Sequence, residues 1–439
     1  MRRLIAVFAV ITLAACSTNV DAGGGDGGSR GKIEVAKGTT VDLDTCPSGW
    51  SDTGGITDKE IRIGISLPKS GSMASVGAMA DGEQAYFDHV NDSDPIDGKK
   101  LVLVQRDDAY NPARTRTNVQ EMLAGDNLFA FNYVVGTAHN LGVQPLIEES
   151  CTPHLMAGTG DPRINDPARH PWTIGGMFSQ RSEALIWCDY IKNTIGAGKS
   201  VAALYMDNDF GSNYAKGVGA CAERGEVKLA ASVKHAPDAP GITNQLTTLA
   251  ASKADVVLLG TTGAFCPQAL AGIAASSWKP VVIMSLTCAQ IALTFQPTDP
   301  DGSGTRVVLD RKDGDDDTFK DDRPFQDVVK ILQEAGLDVS GRPLDGVLLG
   351  MYVERTLRKA LTMPGGLTRV NVLKAMWNSD VAVPVSLDGI RFRTSGVDDA
   401  FLMESARIAT YVPPKDGAKA GHFTFSGDLL SIEGQSGRQ

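Results

Sequence analysis

The sequence predicts an α/β protein built as two doubly wound lobes. Three observations carry that prediction. Strand-like and helix-like runs alternate between residues 61 and 157, and a second round of the same alternation spans 180–285. An acid- and glycine-rich stretch at 296–322 then breaks the rhythm before further helices. The 439 residues suffice for two to four folded units at roughly 100–200 residues each.

In the first round the strand-like runs are 61–67, 101–106, 131–136 and 154–157, with helix-like runs at 77–91, 113–123 and 141–149. Pro112 stands where a first-turn proline is welcome, because the missing N–H would have had no partner there. The second round opens on a long helix at 180–195. Its strands are 201–206, 229–233, 255–260 and 281–285, and its helices 212–223, 242–251 and 267–275. The 296–322 stretch reads as a solvated excursion. Helices return at 325–335, 345–361 and 370–377, and strand-like runs at 390–393, 404–412 and 422–426 could return to either sheet and close the second lobe.

Composition narrows the function. At 42% hydrophobic and 21% charged the chain is globular rather than disordered. Lys+Arg number 42 against 52 Asp+Glu, and a net charge of -10 argues against nucleic acid as the main partner. The 48 glycines follow no G-X-Y period, so turns, linkers or close backbone contacts must account for them.

Arg2 and Arg3 precede an apolar run at 4–13, too short to span a hydrocarbon core but suited to a secretory signal. Leu13-Ala14-Ala15-Cys16 resembles a bacterial lipobox, in which Cys16 is acylated and becomes the mature N-terminus. An ordinary signal peptide cleaved near Ala15 is the alternative. Ser17-Thr18-Asn19 and the glycine-rich 23–29 favour lipidation, since an anchored protein needs a flexible tether, expected here over 16–57. Loss of residues 1–15 leaves 40 basic and 52 acidic residues, so the lipid rather than surface charge must hold the membrane. The protein is expected outside the cytoplasm on the cell membrane.

Export makes disulfides reasonable among Cys46, Cys151, Cys188, Cys221, Cys266 and Cys288, for which 15 complete pairings exist. The favoured pairing is Cys188–Cys221 between successive helices, Cys266–Cys288 across adjacent strand ends, and Cys46–Cys151. No C-x-x-C or zinc-like spacing occurs.

In open α/β sheets ligands bind beyond the carboxyl ends of the strands. Those tips read Pro68-Lys69-Ser70-Gly71-Ser72, Gly136-Thr137-Ala138-His139-Asn140 and Gly158-Thr159-Gly160-Asp161 in the first round. In the second they read Asp207-Asn208-Asp209-Phe210-Gly211, Thr261-Thr262-Gly263-Ala264-Phe265 and Leu286-Thr287-Cys288. Bare backbone and hydroxyls at helix N-termini cradle carboxylates, although the same residue types also cap and turn helices. Phe210 and Phe265 add apolar walls.

Pro68-x-Ser70-Gly71 followed by Gly77, Asp107-Asp108 with Asn111-Pro112-Ala113, and Val134-Val135-Gly136 resemble the type I periplasmic binding proteins in order and spacing. So do Asp209-Phe210-Gly211, Asp345-Gly346 opening a long helix, and Gly389-Ile390-Arg391-Phe392. The leucine/isoleucine/valine-binding branch is the most similar, over about 58–400. The resemblance implies two Rossmann-like lobes joined by a three-segment hinge in a Venus-flytrap arrangement. It places residues 58–175 and about 322–385 in the N-terminal lobe, and 176–321 and about 386–439 in the C-terminal lobe. It implies a monomeric, cofactor-free, non-enzymatic substrate-binding protein that delivers a small amino acid, carboxylate or amide to an ABC permease. A sensor of the same fold is an alternative. By position, Ser72 covers the ligand, His139 and Asn140 follow the third strand, and Gly158, Thr159 and Gly160 offer donors to a carboxylate. Phe210 stands for the family's tyrosine, and Phe265 and Thr287 complete the set.

One departure bears on the ligand. Amino-acid binders of this family place an acid after the last second-lobe strand, where this chain has Ser285-Leu286-Thr287-Cys288. A desolvated ammonium without a carboxylate is costly, which argues against an α-amino acid unless Asp207 or Asp209 substitutes.

Other motifs weigh less. Ser66-Leu67-Pro68-Lys69 fits S-x-x-K but ends a strand, and a hydrolase using Ser70 or Ser72 lacks a base. Asp299, Asp301, Ser303, Gly304 and Asp310 match calcium-loop positions without flanking helices, and no metal site is expected.

Overall fold

A computed structural model describes residues 29–415, 420–432, 434 and 436. The signal segment and the lipidation candidate Cys16 lie outside the described residues. The chain opens with a hairpin, β1 (Lys32–Ala36) against β2 (Thr39–Asp42). Lobe 1 follows with β3 (Glu60–Leu67), α1 (Ala78–Ser93), β4 (Lys100–Asp107), α2 (Pro112–Gly125), β5 (Ala130–Phe131), α3 (Thr137–Glu149), β6 (His154–Ala157) and β7 (Thr173–Gly175). The strands pair in parallel in the order β4-β3-β5-β6-β7. Asn111 caps α2 by accepting from the amides of Ala113 and Arg114, with Pro112 in the first turn.

Lobe 2 runs through α4 (Gln180–Tyr190), β8 (Ser200–Met206), α5 (Asp209–Glu223), β9 (Lys228–His235), α6 (Thr243–Ala251), β10 (Val256–Gly260), α7 (Phe265–Ala275), β11 (Val281–Met284) and β12 (Arg306–Leu309). Three helices then rejoin lobe 1: α8 (Arg323–Glu334), α9 (Arg342–Leu361) and α10 (Arg369–Trp377). The short pair β13 (Asp380–Val381) and β14 (Phe392–Arg393) precedes β15 (Ser405–Val412) and β16 (His422–Ser431). These last two return antiparallel to the second sheet, giving β16-β15-β12-β11-β10-β8-β9. Each lobe has its own core. Ile61, Phe87, Phe129 and Trp377 are buried in the first, and Trp187, Leu258, Phe295 and Tyr411 in the second. Cys46 is bonded to Cys151, Cys188 to Cys221 and Cys266 to Cys288.

Four expectations need correction. The run at 131–136 is a strand only at Ala130–Phe131, because Tyr133 (φ 43°) and Gly136 (φ 107°) turn the backbone out of the sheet. The 296–322 stretch is not all solvated. It contains β12, and Asp310, Lys312, Asp313 and Asp316 are buried where the chain crosses between lobes. Residues 29–57 are not tether: beyond the hairpin, the Trp50 Nε1–H donates to the Cys151 carbonyl at 2.8 Å and its ring meets Trp172 edge-on at 6.1 Å. Arg369 caps this strap, donating to the carbonyls of Leu128, Phe129 and Cys151. Finally, 386–439 is not all lobe 2, because Phe392, Leu402 and Met403 are buried in the core of lobe 1.

The crossovers are tied together. Arg311 bridges Ser386, Lys312 N–H donates to Val385 O at 2.8 Å, and Leu387 N–H donates to Asp310 O at 3.0 Å. Beside them, Gly176 and Ser179 carry the first crossing into α4, whose Ser182 amide Ser179 caps.

Candidate functional site

Parallel strands in both lobes aim their carboxyl ends at the space between them, so the loops after the strands meet across a cleft. Contacts bridge it. Ser72 Oγ donates to Pro237 O at 3.2 Å, Arg163 pairs with Asp209 at 2.8 Å, and Asn213 donates to Asp161 at 2.8 Å. Gly263 (φ 64°) lies so close to Met73 that a Cβ there would come within 2.6 Å of its sulfur. The lobes are closed on each other.

On lobe 1 the start of α3 follows the carboxyl end of β5, and its first residues are buried. Gly136 precedes the helix and supplies no capping side chain, so the amides of Thr137, Ala138 and His139 have no intrahelical acceptor. A Cβ on Gly136 would collide with the His139 ring, which is why glycine is needed at this turn. The hydroxyls of Thr137 and Thr159 meet at 2.8 Å beside these amides. The His139 ring is 2% exposed and packs on Tyr110 at 4.5 Å between centroids. Among the described residues no side chain reaches either ring nitrogen, and its polar neighbour is the Tyr110 backbone. Burial pulls its pKa down to about 4, so the ring is neutral at physiological pH.

Several sequence candidates are tied into the scaffold. Asn140 Nδ2 donates to the carbonyls of Val134 (2.6 Å) and Gly136 (2.8 Å), holding the bent strand end, while its buried Oδ1 has no partner among the described residues. Gly158 spends both backbone groups on Val134 and Gly136, and Gly160 packs so close to the Phe178 carbonyl that a Cβ there would come within 2.2 Å of it. Phe210 is buried edge-on to Tyr214, and Phe265 packs at a tilt on His235, 4.2 Å between ring centroids. His235 Nε2 in turn meets Thr261 Oγ1 at 2.7 Å. Thr287 donates to Thr261 O at 3.0 Å and lines a small cavity at the crossovers. Ser70 Oγ donates to Asp107 Oδ2 at 2.7 Å and Ser72 Oγ to the Pro237 carbonyl at 3.2 Å.

The structure adds groups that sequence reasoning missed. Arg311 holds Asp310 through two bonds (2.6 and 3.1 Å) and also pairs with Asp345, and Arg342 joins Asp345 at 3.3 Å while donating to Thr287 O. Two arginines and two aspartates cancel in charge. They border a cavity of about 30 Å³ lined by Tyr133, Met177, Phe178 and Thr287, room for little more than water. Glu183, wholly buried, accepts from Tyr214 Oη–H (2.5 Å) and the Leu286 amide (2.7 Å). Burial pushes its pKa up to about 8 against those hydrogen bonds, so it is neutral at pH 7. Asp161 goes the other way. Its burial raises the carboxyl, but Arg163 and Asn213 outweigh that and hold it below the ordinary range. Among the described residues no group of three or more His, Cys, Asp or Glu side chains is placed to hold a metal. A one-residue signal for the arginine cluster existed in the sequence, Asp345 at the head of α9, but its partner Arg311 sits 34 residues earlier in what reads as loop.

A model of the family described as periplasmic binding protein matches residues 60–416. No curated protein matches the chain. Solved structures share the fold at low identity. A branched-chain amino acid ABC transporter protein from Thermus thermophilus with bound valine is 16% identical, with a TM-score of 0.73 over 86% of this chain and 97% of that one. A fatty acid ABC transporter substrate-binding protein from Thermomonospora curvata gives 18% and 0.71 over 89% and 97%. A solute-binding protein from Rhodopseudomonas palustris BisB5, in complex with 3,4-dihydroxybenzoic acid, gives 18% and 0.72 over 87% and 99%.

Proposed function

Because this chain belongs to the periplasmic binding protein family, we propose that it captures a small organic acid between its lobes and presents the closed form to an ABC permease. In this reading the protein is exported, held on the membrane by lipid on Cys16, monomeric, and binds its solute without turning it over. The carrying observation is the uncapped start of α3 at the carboxyl edge of the lobe 1 sheet, where three first-turn amides stand beside the Thr137–Thr159 hydroxyl pair. Such a terminus stabilises an anion through its free donors and the helix dipole. The valine, fatty acid and dihydroxybenzoic acid named for the similar structures all carry a carboxylate, which supports the same choice.

The test is a thermal-shift screen of amino acids, keto acids, aromatic acids and amides, followed by calorimetry. A ligand of the native state adds about 2.7 kcal/mol at a hundredfold excess over Kd. Carboxylates are expected to raise the melting temperature and their primary amides to do so less. If no carboxylate moves it, the reading is wrong. Cys16→Ala is expected to release the protein from the membrane fraction; continued membrane attachment would remove the lipid from the account.

A further inference from the structure

The turn after β11 reaches across to lobe 1. Leu286, Cys288 and Ile291 are buried in the core of lobe 2, whereas Leu344 and Val347 of α9 are buried in that of lobe 1. Two hydrogen bonds cross between these segments in opposite senses. Arg342 Nη2 donates to the Thr287 carbonyl at 3.1 Å, and Gln290 Nε2 donates to Asp345 Oδ2 at 3.1 Å. Arg342, Asp345 and Gln290 are all buried, so salt screens these bonds less than the exposed Arg163–Asp209 pair. The cavity of about 30 Å³ that Thr287, Gln290, Arg342 and Asp345 border has no room for a solute. Their bonds therefore join the lobes to each other. Elsewhere the lobes also meet through Tyr110, which packs on both cores.

On the lobe 2 side the turn is fixed. The Leu286 amide donates to Glu183 at 2.7 Å, Ser285 Oγ donates to Thr261 O at 2.8 Å, and Cys288 is bonded to Cys266 in the first turn of α7. Strands β10 and β11 already pair in parallel over four residue pairs, so the crosslink is not needed to hold them side by side. What it adds is a constraint on the chain beyond the strands. Cys288 stands between Thr287 and Gln290, the two residues that reach lobe 1.

We propose that the Cys266–Cys288 bond positions the 286–290 turn as a latch on α9, and that closure of the lobes depends on it. The proposal rests on the closed arrangement of the lobes and needs no solute. Arg342 Nε has no partner among the described residues, so a displaced Thr287 carbonyl leaves the buried guanidinium with Asp345 alone. Asp345 then keeps Arg311 and Arg342 but loses Gln290. Buried polar groups stripped of partners cost free energy, and opening the lobes returns them to water.

Small-angle scattering on the purified full chain without added ligand tests this. Cys266→Ala/Cys288→Ala is expected to give a larger radius of gyration than the parent. Gln290→Met, which keeps the disulfide and removes one crossing bond, is expected to shift it in the same direction. Cys188→Ala/Cys221→Ala is the control, since that bond joins α4 to α5 within lobe 2. It is expected to lower the melting temperature and leave the radius unchanged. Melting curves establish that each variant folds, and if the Cys266 double variant does not, Gln290→Met decides. A Cys266 double variant that melts lower but scatters like the parent makes the bond a plain crosslink and overturns the proposal. So does Gln290→Met scattering like the parent, or the control opening as far as the test variant. None of these outcomes touches the carboxylate reading, which the ligand screen decides separately.

Discussion

At the scale of single residues, burial decides more than charge type. Glu183 lies beneath the tip of β11 with Tyr214, Trp187, Ser285 and the Leu286 amide around it and Asp310 nearby, and its pKa rises from 4.5 to about 8. The native state therefore holds a proton that the unfolded chain releases above about pH 4.5, so stability falls as pH rises to about 8 and then levels. Glu83 and Glu148, also pushed to about 8 by burial, act in the same sense. The melting temperature is expected to drop between about pH 6.5 and pH 8, above the range in which the buried His139 and His154, lowered to about 4 and about 3, act in the opposite sense, and Glu183→Gln, which keeps an acceptor for Leu286, to flatten part of that slope. An unchanged slope in the variant would show that Glu183 does not hold its proton. None of this was readable beforehand. Glu183 sits in an ordinary first turn of α4, where a glutamate is welcome for the dipole alone, and only the packing of the short 3-10 turn Leu286–Cys288 over it reveals the burial.

At the scale of elements, the strap of residues 29–57 is the largest departure from expectation. Glycine and polar residues without helical or strand period read as linker, yet the segment is fixed by Trp50, Arg369 and the Cys46–Cys151 bond across 105 residues. It binds the amino ends of β5 and β6, opposite the cleft. A crosslink over so long a span contributes about 2–5 kcal/mol in the usual account. The double variant Cys46→Ser/Cys151→Ser is expected to lower the urea midpoint by a corresponding amount while leaving solute affinity within about twofold. A large affinity loss with unchanged stability would place the strap in the binding machinery instead. The strand–helix alternation, by contrast, was legible from 61 to 285, because each run is long enough to carry its own apolar face. Short β7 and β12 were not, since three- and four-residue strands are specified by their neighbours in the sheet.

At the scale of the whole molecule, closure rests on few polar contacts between lobes, chiefly Arg163 with Asp209 and Asn213 with Asp161. Arg163 and Asp209 are both substantially exposed, so their pair is worth about 0–1 kcal/mol and is screened by salt. Asp209→Ala is expected to open the unliganded protein, seen as a larger radius of gyration in small-angle scattering, and to weaken solute binding by up to about fivefold. Scattering indistinguishable from the parent would mean that packing at Tyr110, Met73 and Gly263 holds the lobes together unaided.

The sequence by itself determined the α/β architecture, the two rounds that become two lobes, the strand tips on which a site would be built, and the family resemblance. Those properties follow from local patterns: alternation of element types, turn residues at strand ends, and spacing along the chain. Only the tertiary structure decided which tip residues are tied into the scaffold. Asn140 and Gly158 hydrogen-bond the bent strand end, while Tyr110 and Arg311 enter from segments read as loop. The 48 glycines likewise needed the fold to separate turns from true close approaches such as Gly136 and Gly263. The physical reason is that orientation, burial and pairing depend on groups distant in sequence, whose free energies appear only once the two lobes are brought together.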